Sequence, residues 1–175
     1  MGASVWSYFV PYQSDISKAL QELRKTVFSQ GKYFRRPAFW KDMTFAEFLP
    51  PVPDLTEEEK QEYLIDFKKL QSLPEPTSIE TLIEWNAEDG THSIIDISEI
   101  SESPDFGTVA PLSSIELQNF FGTDKPSRKM IENQEAALSE YLHQKMGRGR
   151  WEGTYIIVYK EQLPDEIYFT GFSGD

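Results

Sequence analysis

The sequence predicts an α+β fold, in which a mixed or antiparallel sheet of about four strands is packed by amphipathic helices. Hydrophobic residues make up 39% of the 175 residues and aromatic residues 14%, which suffices for a substantial core. Strand-like segments lie near both ends of the chain, and helix-capping signals followed by helical periodicity lie between them. We predict a single domain over residues 1–175, because this length is typical of one domain.

The first predicted elements are a strand and a helix. Residues 3–10 indicate a strand that is apolar on both faces and ends at Pro11. Ser14 or Asp15 is expected to cap the helix, and Gly31 is expected to end it. The apolar positions of this helix recur at helical spacing, at Ile16, Leu20, Leu23, Val27 and Phe28.

Capping boxes mark the next helices. In this motif a Ser or Thr side chain and a Glu three residues later satisfy each other's backbone N–H groups. Ser127 is expected to cap a further, long helix that ends at Gly147. The four predicted boxes are Thr44 with Glu47, Thr56 with Glu59, Thr77 with Glu80, and Ser113 with Glu116.

Three further strands complete the predicted sheet. Residues 91–98 follow Gly90 and indicate the middle strand. Residues 154–160 and 166–172 indicate an antiparallel hairpin joined through residues 162–165. Both hairpin strands are apolar on both faces, so each face needs a cover of helix or of another subunit. We expect the two chain ends to pair within this sheet.

Composition and charge restrict the functional classes. The chain has no cysteine, which excludes disulfides, thiolate metal sites and a thiol nucleophile. Its net charge of −12 argues against nucleic acid as the main partner. No stretch is long and apolar enough for a membrane span, and no export signal is evident, so we expect a cytoplasmic protein. No motif indicates a cofactor or a metal site.

The negative charge is concentrated in the middle of the chain. Residues 54–105 carry 15 acidic and 3 basic residues, whereas residues 1–53 have a net charge of +3 and residues 106–175 a net charge of −3. A solvated face that keeps the protein in solution explains this pattern, and so does an acidic surface that binds a basic partner. A metal site built from the carboxylates is a third alternative, but no calcium-binding loop motif supports it.

The chain has two histidines, His92 and His143, whose side chains are candidates for acid–base chemistry. His92 and Asp96 would share one face of the predicted strand 91–98, but about 13 Å of extended chain would separate them. A direct hydrogen bond between them is therefore not expected. His92 remains a candidate base beside some other carboxylate, or a residue that supports a turn. His143 lies near the end of the long helix, and we expect it at the surface.

Two cationic segments are candidate binding sites. Arg148 and Arg150 lie in a Gly-Arg-Gly-Arg-Trp segment, which either supports the end of the preceding helix or contacts an anion or an acidic protein. Arg35, Arg36 and Trp40 lie in the aromatic- and arginine-rich loop 32–48, which either fills a core or lines a binding surface. His92, Asp96 and these five residues form the predicted binding set.

Three segments of the chain carry a resemblance. Residues 90–97, residues 122–126 and the terminal residues 166–175 are similar to a group of small uncharacterised bacterial proteins, as is the helix over 12–31. The resemblance implies a bacterial, cytoplasmic, single-domain protein and no particular activity.

Two functional hypotheses follow. The first is a non-enzymatic protein-binding or regulatory module, such as an immunity-like protein or an adaptor, whose acidic face meets a basic partner. The second is a small-molecule-binding protein or enzyme with a pocket around His92 and the loop 32–48. A homodimer that buries the terminal hairpin is a further interpretation.

Overall fold

The computed structural model describes residues 4–35, 41–52 and 55–174. Arg36 and Trp40 of the predicted binding set lie outside the described residues. The chain divides into two compact units. We call Met1–Phe34 with Glu88–Asp175 the sheet unit and Arg35–Ala87 the helical unit. Whether the whole chain folds as one domain stays a prediction.

A mixed sheet organises the sheet unit, which confirms the predicted α+β class. Within the described residues it has five strands rather than four, in the order β1-β5-β4-β3-β2. Both pairings of β5, with β1 and with β4, are antiparallel, whereas β2–β3 and β3–β4 are parallel. The terminal segments do pair in one sheet, as predicted. The strands are β1 Val5–Pro11, β2 Glu99–Ile100, β3 Thr108–Pro111, β4 Glu152–Lys160 and β5 Leu163–Phe172.

The predicted strand 91–98 is wrong. The segment instead contains a 3₁₀ helix, Ile94–Asp96, and the two-residue β2 follows it. Short polar side chains cause the difference, because they bond nearby backbone N–H groups that a strand would give to its neighbour. The Ser93 hydroxyl accepts from the Ile95 N–H at 3.3 Å, and the Asp96 carboxylate accepts from the Thr91 N–H at 2.7 Å.

The hairpin β4–β5 turns earlier than predicted. Lys160 pairs with Leu163, so the connection is the two residues Glu161 and Gln162. Both have positive φ, of 52° and 69°, as in the type I′ turns that suit the twist of a hairpin. Neither residue is a glycine, which is why the sequence pattern did not indicate a turn at this position.

Helices cover both faces of the sheet. Helices α5, Ser114–Phe121, and α6, Arg128–Gln144, begin at the predicted caps Ser113 and Ser127 and pack on one face. Helix α1, Ile16–Ser29, is capped by Asp15 and contacts the 3₁₀ helix, which in turn contacts β5 on the other face. The core beneath α5 and α6 contains Leu117, Phe121, Ile131, Leu138, Leu142, Ile156, Val158, Tyr168 and Phe172.

A tryptophan lies across two glycines in the centre of the sheet. The register places Trp6, Gly171, Gly153 and Val109 in one row across four strands. A Cβ atom on Gly171 would lie 2.3 Å from the Trp6 ring, and one on Gly153 would lie 2.4 Å from Val109. The two glycines therefore provide the space that the buried indole occupies.

Helices of the helical unit include α2 Phe45–Phe48, α3 Glu57–Gln71 and α4 Ile79–Trp85. The predicted capping boxes at Thr44 and Thr56 are confirmed. The cap of α4 is Ser78 rather than the predicted Thr77, and its hydroxyl accepts from the Thr81 N–H. The aromatic rings of Phe45 and Phe48 contact the buried Phe67 of α3, with ring centroids 5.7 and 5.0 Å apart.

Candidate functional site

Asp96 is the centre of a polar cluster in the sheet unit. Its side chain is buried, with Oδ1 accepting from the Thr91 N–H at 2.7 Å and Oδ2 accepting from the Ser173 hydroxyl at 2.9 Å. Burial raises the pKa of Asp96, while these hydrogen bonds and the charge of His92 oppose the rise. Because Ser173 follows β5 directly, Asp96 fastens the 90–97 turn to the end of the sheet.

The predicted separation of about 13 Å between His92 and Asp96 assumed extended chain, and it does not apply because residues 94–96 form a 3₁₀ helix. The chain turns at His92, whose φ of 54° is in the left-handed region. The imidazole stacks on Phe34 with ring centroids 4.6 Å apart, and its Nδ1 lies 3.4 Å from the Ser4 hydroxyl. His92 therefore supports the turn through packing as well as polar contact.

Tyr8 extends the same cluster from the neighbouring strand β1. Burial is the main cause that raises the pKa of Tyr8, and the nearby Asp96 carboxylate raises it further. A hydrogen bond between the Tyr8 hydroxyl and the Ile94 backbone opposes these effects. The cluster thus connects strand β1, the 90–97 turn and the chain after β5. Both Asp96 carboxylate oxygens accept hydrogen bonds within it.

Close packing around Trp151 closes this cluster. A Cβ atom on Gly174 would lie 2.0 Å from the Trp151 ring, so the indole covers the backbone after Ser173. Trp151 has a φ of 65°, which is rare for a bulky residue. Two backbone hydrogen bonds hold Trp151 in this conformation. The Trp151 backbone N–H donates to the Phe172 carbonyl, and the Trp151 backbone carbonyl accepts from the Gly107 N–H.

Arg35, Arg148 and Arg150 are the other described residues of the predicted binding set. Arg35 belongs to the helical unit, where it forms an ion pair with Glu75. Arg150 is exposed on the segment that follows α6. Arg148 is only 2% exposed, and its Nε and Nη1 have no hydrogen-bond partner within the described residues. Burial lowers the pKa of Arg148, and Glu152 and Glu116 oppose that effect.

A second surface of the sheet unit combines acidic side chains with one exposed aromatic ring, Phe106, and the half-buried ring of Trp151. Phe106 is 69% exposed and contacts Trp151, with ring centroids 5.7 Å apart. Glu99, Glu102 and Asp105 are exposed in the same segment. We call these five residues the Phe106 surface. They include the last three acidic residues of the acidic segment 54–105.

Hydrogen bonds hold the loop that carries Phe106 in one conformation. The Ser101 hydroxyl donates to the Ser103 carbonyl at 2.6 Å and lies 2.7 Å from the Thr108 hydroxyl. The Thr108 N–H and hydroxyl both donate to the Asp105 carbonyl. The Phe106 N–H donates to the Asp105 carboxylate at 2.8 Å. The exposed ring is therefore presented by a preorganised backbone, which lowers the entropy cost of binding.

The helical unit carries a separate acidic stripe on α3. Glu58, Glu62 and Asp66 are exposed and follow each other at four-residue spacing, so they lie on one face of the helix. Two neighbouring carboxylates instead bind groups of the same helix end: Glu57 forms an ion pair with Lys60, and Glu59 accepts from the Thr56 N–H. The acidic segment of the sequence is thus divided between the two units.

No family model, curated protein or solved structure matches this chain. Among the described residues, no helix has the length and apolarity needed to cross a membrane. The same part of the chain contains no group of three or more His, Asp or Glu side chains arranged to hold a metal ion.

Phe106, Trp151 and Ser173 are site residues that the sequence did not predict. Phe106 had a usable signal, because a large apolar residue between Pro104-Asp105 and Gly107 stands in a turn-forming context that tends to be exposed. Trp151 and Ser173 had no such signal. Their roles arise from contacts with residues distant in the sequence. The Trp151 ring contacts Gly174 and Phe106, and the Ser173 hydroxyl donates to Asp96.

Proposed function

We propose that this chain is a non-enzymatic protein-binding or regulatory module of the cytoplasm that binds a basic partner through the Phe106 surface. An immunity-like protein and an adaptor are the two concrete forms of such a module. The single observation that carries the proposal is the exposed Phe106 ring, which a hydrogen-bonded loop presents among three exposed carboxylates.

The chemistry of the Phe106 surface favours a partner segment that combines Arg or Lys with an apolar side chain. The Phe106 and Trp151 rings offer apolar contact area, and aromatic residues are frequent among the residues that dominate binding energy. Glu99, Glu102 and Asp105 attract cationic groups and raise the association rate. The net charge of −12 extends this attraction over the molecule and disfavours nucleic acid.

A matched pair of charge variants tests the proposal. One variant combines Glu99→Gln, Glu102→Gln and Asp105→Asn, and the other combines Glu58→Gln, Glu62→Gln and Asp66→Asn on α3. Each removes three carboxylates from exposed positions, so the change in net charge is the same. Binding of an oligo-arginine peptide with a central leucine is measured by fluorescence anisotropy at low and high salt. We expect the first triple variant to lose about tenfold in affinity and the second to lose less.

Three results would count against this proposal. Equal losses in the two triple variants would mean that only the overall field matters, and no binding at low salt would remove its basis. A Phe106→Ala variant that keeps full affinity would show that the aromatic ring does not take part. Affinity capture from the native cell at low and high salt, with the same variants, would then identify the partner.

The small-molecule or enzyme alternative around His92 retains one favourable observation. A histidine with φ of 54° is strained, and such strain is frequent at functional sites. His92→Asn keeps a residue that tolerates the left-handed region while removing the imidazole. A thermal-shift screen of small metabolites against the wild type and this variant tests the alternative, which predicts a ligand that stabilises only the wild type.

A further inference from the structure

Among residues 4–35, 41–52 and 55–174, none forms a backbone hydrogen bond to the outer edge of β1. At the two ends of the β1–β5 ladder, the Tyr12 N–H donates to the Asp165 carbonyl and the Ser173 N–H donates to the Ser4 carbonyl. In an antiparallel ladder the paired residues alternate, so even-numbered residues of β1 bond β5 and odd-numbered ones face outward. Within the described residues, the outward N–H and C=O groups of Val5, Ser7 and Phe9 have no hydrogen-bond partner.

Nothing in the sequence of β1 blocks the addition of another strand. Natural edge strands are protected by charged residues, by proline, by bulges or by short length. Residues 5–10 contain no charged residue, Pro11 stands only at the end, and the pairing with β5 is continuous over seven residues. Val5 is 51% exposed on this edge.

Grooves flank the edge on both faces of the sheet. A groove of about 310 Å³ lies between Val5, Phe172 and the α6 residues Ala136, Ser139 and His143. A second groove of about 420 Å³ lies between the Pro11 end of β1 and helix α1. An added strand places its side chains alternately on the two faces, so both grooves are available to receive them.

We propose that β1 pairs with β1 of a second copy of this chain, antiparallel and with the two-fold axis at Ser7. The outward residues Val5, Ser7 and Phe9 are symmetric about Ser7. This register places Ser7 opposite Ser7 of the second copy and Val5 opposite Phe9, so that every outward N–H meets an outward C=O. Pro11, which has no N–H to donate, falls outside the paired residues.

The symmetry of the free groups is the reason to choose a second copy as the occupant. Any extended peptide can accept hydrogen bonds from an edge, but in this register a second copy satisfies the outward N–H and C=O groups of Val5, Ser7 and Phe9, and only the Pro11 carbonyl stays outside the pairing. The pairing also covers the exposed side chain of Val5 with Phe9 of the second copy, which is an apolar cross-strand pair. The two sheets become one continuous sheet of ten strands.

Charge gives this association a characteristic salt dependence. Each copy has a net charge of −12, so two copies repel each other over a long range. Salt screens that repulsion, and dimerisation should therefore strengthen as salt increases. Binding of a basic partner at the Phe106 surface should weaken under the same change. The opposite dependences separate this inference from the proposed function.

Molar mass in solution tests the inference with a matched pair of variants. Val5→Lys places a charge on the open edge, and Ile115→Lys makes the same change at a residue of α5 that is 73% exposed. Light scattering over a concentration series should show a dimer for the wild type and Ile115→Lys. We expect Val5→Lys to dissociate about tenfold more readily, because both cross-strand pairs are affected.

The register is tested with a thiol at the proposed axis. The chain has no cysteine, so Ser7→Cys creates one thiol that lies opposite its own copy. Its cross-linking by a short bis-maleimide should exceed that of Ser114→Cys, an exposed position on α5. A wild type that stays monomeric at its highest soluble concentration in high salt would overturn the inference. Equal cross-linking of the two thiols, or a monomer that binds an unrelated extended peptide at β1, would overturn it as well.

Discussion

The two edges of this sheet differ in how they meet solvent. The β1 edge is seven residues long and uncharged from Val5 to Val10, with outward backbone groups that have no partner within the described residues. The β2 edge is two residues long, begins with the exposed Glu99 and continues into the hydrogen-bonded loop that carries Phe106. Strand addition is therefore favoured at β1, whereas β2 is protected by length and charge and offers side chains instead.

Both edges depend on the row of residues that crosses the sheet between them. The largest effect is expected at its centre, for Gly171→Ala. The added Cβ would lie 2.3 Å from the Trp6 ring and 2.6 Å from the Glu152 carbonyl oxygen, and the backbone cannot yield without disturbing β4. We expect a loss of about 3 kcal/mol or more in the free energy of unfolding, measured by urea denaturation.

Gly149→Ala is the matched control for this substitution. The nearest atom to a Cβ at Gly149 is the Glu152 carboxylate oxygen, 4.0 Å away. The control should therefore stay within about 0.5 kcal/mol of the wild type. If Gly171→Ala also stays within about 0.5 kcal/mol of the wild type, the indole of Trp6 does not need the space of the glycine. The row of residues across the sheet would then not be needed for the stability of the two edges.

The next effect concerns the cluster that holds the β2 side of the molecule to the end of β5. Because burial raises the pKa of Asp96, the folded state binds a proton more tightly than the unfolded state. The protonated side chain is thus favoured on folding, and stability from this group decreases as the pH rises from near 4 through the raised pKa. Each unit of the rise corresponds to about 1.4 kcal/mol.

Asp96→Asn should remove this part of the pH dependence. Urea denaturation between about pH 4 and pH 7 should show that the stability of the wild type, relative to the variant, falls with rising pH. Asp124→Asn, at an exposed position, is the control for the loss of one carboxyl group. A variant profile parallel to that of the wild type would mean that Asp96 does not titrate in this way.

A smaller effect is expected for the loop that protects the β2 edge. Ser101→Ala removes the hydrogen bond to the Ser103 carbonyl and the contact with the Thr108 hydroxyl. We expect a loss of about 1 kcal/mol, together with faster amide hydrogen exchange at Gly107 and Thr108. Ser114→Ala, which changes an exposed serine on α5, should affect neither measurement. Unchanged exchange in Ser101→Ala would show that the loop is rigid for another reason.

The sequence predicted the parts of the fold that local signals determine. Helix starts belong to these parts, because a capping side chain bonds a backbone N–H only a few residues away. The caps that the sequence predicted and the structure has are Asp15, Thr44, Thr56, Ser113 and Ser127. The apolar terminal segments likewise predicted the strands that now lie at the centre and one edge of the sheet. These signals do not depend on the rest of the molecule.

The failures occurred where distant contacts decide. The 90–97 turn has strand-like composition, but its carboxylate is held by Ser173 from the other end of the chain. Strand β3 is only four residues long and ends in proline, so its pairing with β4 has little local signature. The open edge of β1 could not be inferred either, because the sequence shows a strand without showing which strand lies beside it.

The smallest effect on stability, and the sharpest contrast between the edges, is expected for Phe106→Ala. A ring that is 69% exposed contributes little to folding, so urea denaturation should show a change within about 0.5 kcal/mol. Because Phe106 lies on the β2 side, dimer mass should also be unchanged, while affinity for the oligo-arginine peptide with its central leucine falls. Ile115→Ala, at another exposed apolar residue, should alter none of the three. The strand order separates Phe106, on the β2 side, from β1 at the opposite edge. If Phe106→Ala dissociates the dimer, the dimer interface must therefore include the β2 side as well as β1.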